Sequence, residues 1–322
     1  MTDLVLDPVL AARLHLLDGV PALGAEPPTA GEMRRFVAFS APVDGYAAPD
    51  ADVTDVVAPG PKGVVPVRVY RPLDGRSSRG LVWAHGGAFQ FGNLDMPEAD
   101  VVARELANAG VTVVSVDYRL CHGGVHFPVP HDDVHSAFVW AAADSGLLTL
   151  GGSWALGGAS AGGNLAAGVG QRLRDEGRVV PEALVLAYPV AHDPVPRASS
   201  DHRERMAALP VALRFTPESM AFINAAYLGD SPPDVPYAFP GLGDVAGLPR
   251  TLVMLCEYDD LRPSGEALVE SLCAADIPLT VELVAGVSHG HLNVPGLPAA
   301  LTSIAGIVRF LAEVGDQSEG VR

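Results

Sequence analysis

Cysteine is scarce. Cys121, Cys256 and Cys273 are the only three in 322 residues, too few and too scattered for a disulfide framework or a zinc knuckle, and a reducing compartment fits them. Basic charge is scarce as well: 21 Lys and Arg against 38 Asp and Glu leave a formal charge of −17. A surface that acidic repels phosphate backbones and anionic headgroups, so nucleic acid is not an expected partner. Lysine is almost absent, Lys62 being the only one, and the positive charge is nearly all arginine. No apolar run approaches the roughly eighteen residues of a membrane span, and the runs present are strand-sized. The opening MTDLVLDPVLAARLHLLDG carries Asp3 and Asp7 among its apolar residues and no basic start, so it does not read as a signal peptide. Internal repeats and low-complexity tracts are missing too. These absences lead to the expectation of a soluble, cytoplasmic protein with no stable membrane association.

What is present is a core. The chain is 48% hydrophobic and 18% charged, enough to bury one large α/β domain or two small ones. Leu4 to Leu17 and Gly31 to Phe39 have helical spacing, separated by Pro21, Pro27 and Pro28. From Asp52 the texture changes to short β-branched runs at 52–58, 64–70, 80–85, 111–118, 153–158, 182–189, 250–256 and 279–284. Helical patterns fall between most of them, at 97–109, 131–144, 160–175, 263–275 and 297–314. Such alternation predicts a mostly parallel sheet with helices on both faces. The rhythm breaks between Pro189 and Arg250, a stretch rich in proline with no clear strand and too long for a simple connection. We read it as a helical insertion. The expected organisation is a catalytic body at 46–190 and 245–322, a lid insertion at 191–244, and an N-terminal part of the same lid at 1–45.

Two glycine strings carry chemistry. The run at 153–158 leads into Gly158-Ala159-Ser160-Ala161-Gly162 and then a helical pattern, the strand–turn–helix of a nucleophile elbow. Glycines two before and two after the serine let the chain turn sharply and the next helix pack close. The serine also lies at a helix N-terminus, where free N–H groups favour negative charge. Upstream, His85-Gly86-Gly87-Ala88-Phe89 ends the strand at 80–84, and glycines there let backbone N–H groups approach a reacting centre, as an oxyanion hole requires.

Together these strings resemble the hormone-sensitive-lipase-like family of α/β-hydrolases, carboxylesterases with an H-G-G-G motif upstream of G-x-S-x-G. The resemblance continues through Gly92-Asn93-Leu94-Asp95 (the family's G-S-L-D) and Asp117-Tyr118-Arg119-Leu120 (D-Y-R-L) to Phe127-Pro128 with Asp133, and Tyr188-Pro189 (Y-P). It ends with Glu257-Tyr258-Asp259, Leu261-Arg262 (E-Y-D-P-L-R) and His289-Gly290 (H-G-F), in the family's order over residues 80–295. It implies the α/β-hydrolase fold, with Ser160 as nucleophile, His289 as general base and Asp259 as the carboxylate orienting it. The expected oxyanion donors are the backbone N–H groups of Gly87, Ala88 and Ala161. Both Asp259 and His289 follow strands and would emerge at the same end of the sheet as Ser160. No metal and no cofactor is implied.

Several residues depart from the family. Ala88 replaces its third glycine, keeping a backbone donor but adding a methyl where the acyl group approaches, so short acyl chains are expected. Asp260 replaces its proline and Pro263 its second aspartate, which sets two carboxylates side by side; Asp260 is read as a solvated neighbour. His291 replaces a phenylalanine, as a substrate contact or a surface ring. Phe89, Met33, Phe36, Phe215 and His291 are the candidates for substrate binding. His122, His126, His131 and His135 cluster without clean ligand spacing and are read as a solvated loop and helix start rather than a zinc site. Asp117 and Arg119 are read as a structural polar pair, and Cys256 as a buried small hydrophobe. The expected function is that of a serine carboxylester hydrolase acting on small to medium esters, as small-molecule substrates, through a Ser-Asp-His triad and an acyl-enzyme. Hydrolysis of an amide, carbamate or natural-product ester stays open, as do a ligand-binding receptor on the same scaffold, like the plant gibberellin receptors, and a homodimer.

Overall fold

A computed structural model describes residues 4–25, 27–143, 146–150 and 152–319. Residue 144, the last of the helix expected at 131–144, and the outermost residues of the 1–45 and 245–322 ranges lie outside the described residues. Among the described residues, eight strands form one sheet in the order β1-β2-β4-β3-β5-β6-β7-β8. They are β1 (Asp52–Gly60), β2 (Gly63–Arg71), β3 (Arg79–Ala84), β4 (Val111–Val116), β5 (Ser153–Ala159), β6 (Ala183–Ala187), β7 (Arg250–Tyr258) and β8 (Leu279–Ser288). The β1–β2 and β2–β4 pairs are antiparallel and the remaining pairs parallel.

The central strands read as continuous apolar runs because helices cover both faces. Successive residues of β3 show the division: Val82 and Ala84 join the cluster under the helices α4 (Val129–Ala143) and α5 (Ala161–Asp175). Leu81 and Trp83 join the opposite cluster, under α3 (Pro97–Asn108) and α9 (Pro298–Glu319). The N-terminal elements, α1 (Pro8–Arg13), a 3-10 turn (Leu14–Leu17) and α2 (Ala30–Phe39), bury Leu10, Leu17 and Phe39 in that second cluster, joined by Val20 from the link before α2. Thr29 and Glu32 close a reciprocal capping box that starts α2.

The long stretch after β6 contains no strand. It holds α6 (Ser200–Ala207), a 3-10 turn (Val211–Leu213) and α7 (Pro217–Leu228), after which α8 (Arg262–Ala274) follows β7. The N-terminal segment and the stretch after β6 meet, with Gly24 against the ring of Phe222.

The pairing of β7 with β8 is irregular near the strand ends. It runs Cys256↔Val284 and then Tyr258↔Ser288, so β8 takes two more residues than β7 over that step. This bulge brings the ends of the two strands level.

Candidate active site

Ser160, Asp259 and His289 are each the residue immediately after a strand, β5, β7 and β8 respectively. Those strands are parallel, so all three side chains leave from one end of the sheet, the end where open α/β sheets bind ligands. The bulge between β7 and β8 sets Asp259 beside His289. The Ser160 hydroxyl lies 2.8 Å from Nε2 of His289, and Nδ1 of the same ring lies 2.7 Å from Oδ2 of Asp259. With the proton on Nδ1, the ring donates to the carboxylate and accepts from the serine. The other carboxylate oxygen accepts the Leu261 N–H at 2.8 Å, and the side chain of Asp259 is 1% exposed. A buried carboxylate held at both oxygens keeps the imidazole in one orientation.

The elbow is strained at the serine itself, which has φ 53° and ψ −115°. Left-handed backbone is costly for a non-glycine residue and persists only when its surroundings hold it. Here the Ser160 N–H bonds to the Ala187 carbonyl and the Ser160 carbonyl accepts the Asn164 N–H. Gly162 is required for a different reason: a Cβ there would stand 2.0 Å from the Ala84 carbonyl oxygen. The motif glycine serves close approach of α5 to β3, and the serine bears the strain.

The loop after β3 obeys the same logic. Gly87 has φ 113° and a Cβ on it would lie 2.0 Å from the Phe91 carbonyl oxygen, so no side chain fits. Ala88 has φ 53°, a left-handed value that alanine can adopt at modest cost, which is why this position tolerates a methyl and Gly87 does not. His85 lies beneath, stacked on Tyr118 at 4.4 Å, with Nδ1–H donating to the Gly86 carbonyl; burial pushes its pKa down to about 4.

Behind the site is a residue that sequence reasoning misses. Glu98, in the first turn of α3, is 1% exposed. Its carboxylate accepts the Gly86 N–H at 2.6 Å, the Tyr188 hydroxyl at 2.5 Å and the Asn293 side-chain amide at 3.1 Å. It thereby ties the loop after β3, the end of β6 and the turn after His289 together. Burial pushes its carboxyl above the ordinary range, opposed by the hydrogen bonds from Tyr188 and Gly86 and by the charge of His289. Tyr188 directly follows β6, and its ring meets that of His289 at 4.9 Å. An acidic residue in a first helical turn normally faces solvent, so only Tyr188-Pro189 offers a sequence signal here.

In front of the site, Phe215 packs its ring 4.6 Å from that of His289. Of the five candidates for substrate contact, it is the one packed on the ring of His289. Met33 and Phe36 are exposed on α2. Phe89 is fully buried, stacked on Tyr227 at 3.8 Å, and is part of the core. His291 is neither a substrate contact nor a surface ring: it is 2% exposed, its Nδ1 faces Cys256 Sγ at 3.4 Å and its Nε2 faces Ser303 Oγ at 2.9 Å. Burial, with the nearby charge of His289, pushes its pKa down to about 3.

Other expectations need correction. Asp260 is not solvated; it is 15% exposed and pairs with Arg214. Arg119 pairs with Asp133, through both carboxylate oxygens, rather than with Asp117. Two of the clustered histidines are buried rather than solvated: His131 stacks on Tyr237, and His135 bonds Glu176. His126 bonds the Ala226 carbonyl. Cys256 is buried in β7, as expected.

Comparison with known proteins agrees with this fold. The profile of the α/β-hydrolase fold matches residues 81–293. A carboxylic ester hydrolase of Mycobacterium tuberculosis, LipN, is 35% identical over 256 residues, 75% of this chain; the chain spans 65% of that relative's length. An esterase structure from Pyrobaculum calidifontis superposes with a TM-score of 0.72 at 31% identity, covering 94% of this chain and 90% of that one. A bacterial brefeldin A esterase, described as a homologue of human hormone-sensitive lipase, gives 0.79 at 25% identity over 97% and 95%. Among the described residues no helix is long and apolar enough to cross a membrane.

Proposed function

Because the chain belongs to the α/β-hydrolase fold family, in its hormone-sensitive-lipase-like branch, we propose that it is a cytoplasmic serine carboxylester hydrolase acting on small esters through Ser160, His289 and Asp259. The observation that supports this most is the unbroken hydrogen-bond chain from Ser160 through His289 to Asp259.

In this reading the Ser160 oxygen attacks the ester carbonyl while Nε2 of His289 takes its proton, and Asp259 stabilises the imidazolium that forms. The carbonyl oxygen becomes an oxyanion facing the N–H groups of Gly87, Ala88 and Ala161, at the N-terminus of α5. His289 then returns the proton to the departing alkoxide, leaving an acyl-serine and a free alcohol. Water repeats the sequence: its proton goes to His289, its oxygen to the acyl carbon, and Ser160 regains its hydrogen as the acid leaves. The Ala88 methyl beside the acyl path favours short acyl chains. Natural-product esters remain the second reading, since a relative is named for one such substrate.

Hydrolysis of a chromogenic acetate ester, with stoichiometric labelling of Ser160 by an organophosphonate, tests the proposal. An inert protein that takes no label would favour the receptor reading.

A further inference from the structure

The residue after the triad acid is where this chain departs from its family, a carboxylate in place of proline, and the structure gives that carboxylate three bonds. Asp260 Oδ2 accepts Arg214 Nε–H at 2.7 Å and the Phe215 backbone N–H at 2.9 Å, while Oδ1 accepts Arg214 Nη2–H at 3.0 Å. Two consecutive residues of the insertion are thus fastened to one side chain of the catalytic loop. The pair is sheltered, at 19% and 15% exposure, so solvent screens it less than an ordinary surface pair. A second tie lies one residue away: Nε2–H of His202, on α6, donates to the Asp259 carbonyl at 2.8 Å.

The segment so held has little freedom of its own. Arg214 comes directly after a 3-10 turn, and Thr216 caps α7 by accepting the Ser219 N–H, which leaves Phe215 as the link between two ordered elements. The fastened residue is also the one whose ring meets His289.

We propose that Asp260 and Arg214 are positioning residues for substrate selection: their ion pair holds Phe215 as a fixed wall beside His289, and so sets which esters the site accepts. This rests on the ester-hydrolase reading. Neither residue touches the reacting atoms. A wall referenced to the triad-acid loop keeps a constant distance from the imidazole, whereas an unfastened ring would yield to bulkier substrates.

The test compares wild type with Asp260→Ala, Arg214→Gln and Phe215→Ala, normalised to active sites by phosphonate titration. Two ester series are used, one varied in the acyl chain and one in the alcohol, and exchange of the Phe215 amide hydrogen is followed by NMR. Loss of the charge-assisted bonds should raise KM for the best small ester about fivefold to tenfold with kcat within about twofold. The ratio of catalytic efficiencies, bulky over small, should rise at least about threefold in one series for all three variants. The Phe215 amide should exchange faster in Asp260→Ala. Should Asp260→Ala fail to fold, Arg214→Gln, which leaves the Phe215 amide bond in place, carries the kinetic comparison. Wild-type ratios in both series for Asp260→Ala and Arg214→Gln would overturn the proposal, and so would wild-type ratios for Phe215→Ala, since the ring would then be no wall. An inert wild type would instead overturn the hydrolase reading and the selection it implies, while the Phe215 amide still decides whether the carboxylate pins the segment.

Discussion

His289 has two neighbours of opposite origin. Behind it, buried Tyr188 and Glu98 and half-buried Asn293 form a frame built from the end of β6, the first turn of α3 and the turn after β8. In front of it, Phe215 comes from the insertion and is fastened by a partly exposed ion pair. The rear frame meets the His289 ring through Tyr188 and holds the loop after β3 at the Gly86 N–H, and it is largely enclosed, so a missing bond there leaves a buried group unsatisfied. The front wall is the part proposed to meet the substrate. The contrast teaches a division of labour: disturbing the frame should lower turnover, and disturbing the wall should change which substrate is turned over.

The largest effect is expected at the proposed nucleophile, which neither the frame nor the wall contains. Ser160→Ala should retain its fold by circular dichroism yet lose about 10⁴-fold or more in turnover and all phosphonate labelling. Retention of a tenth of the activity would break the assignment. Next comes Glu98→Gln, which keeps the shape but replaces one carboxylate oxygen by an NH2 group: with the amide oxygen kept for Tyr188 and Asn293, which share Oε2, the NH2 faces the Gly86 N–H that Oε1 accepted. It should lower kcat about 10-fold to 100-fold with KM nearly unchanged, because the oxyanion loop loses its anchor at Gly86. A rise in KM at constant kcat would place Glu98 with the wall instead. Ala88→Gly should shift preference toward longer acyl chains by only about threefold, read from catalytic efficiencies along an acyl series.

The smallest effect concerns stability, and its sign can be worked out. Burial holds His85 at about 4 and His131 and His291 at about 3. In the unfolded chain each titrates near the ordinary value of about 6.5. As pH falls below that value the unfolded state binds protons that the folded state refuses, so stability is full above it and declines on acidification, by up to about 1 kcal/mol per pH unit for each ring. Glu98, with its carboxyl raised, acts in the opposite sense. Urea midpoints should therefore drop between pH 7 and pH 5, and less steeply in His131→Gln; an unchanged slope in that variant would remove His131 from the account.

Sheet and elbow are legible in the sequence because each is written locally: β-branched runs end, and glycines flank a serine between a strand and a helix. Asp259 and His289 enter through the family resemblance, and parallel strands deliver all three residues to one end of the sheet. What is not legible depends on partners distant in sequence. Glu98 looks like an ordinary first-turn acid until Asn293, 195 positions away, is seen beside it. Asp260 looks solvated until Arg214 arrives from the insertion, 46 positions back. His291 gives no sign that Cys256 and Ser303 enclose it. Phe89 comes just after the glycine string and so looks like part of the site, yet its left-handed backbone, φ 60°, turns the ring into the core against Tyr227.

The most direct measurement is kcat and KM for Asp259→Asn and Asp260→Asn, side by side on one small ester, with circular dichroism to confirm folding. Asp259 holds the imidazole and Asp260 holds the wall, so the account predicts a loss on the order of 10⁴ in kcat for Asp259→Asn. For Asp260→Asn it predicts a kcat within about threefold of wild type and a raised KM. A severe kcat loss in Asp260→Asn with a mild one in Asp259→Asn would contradict it.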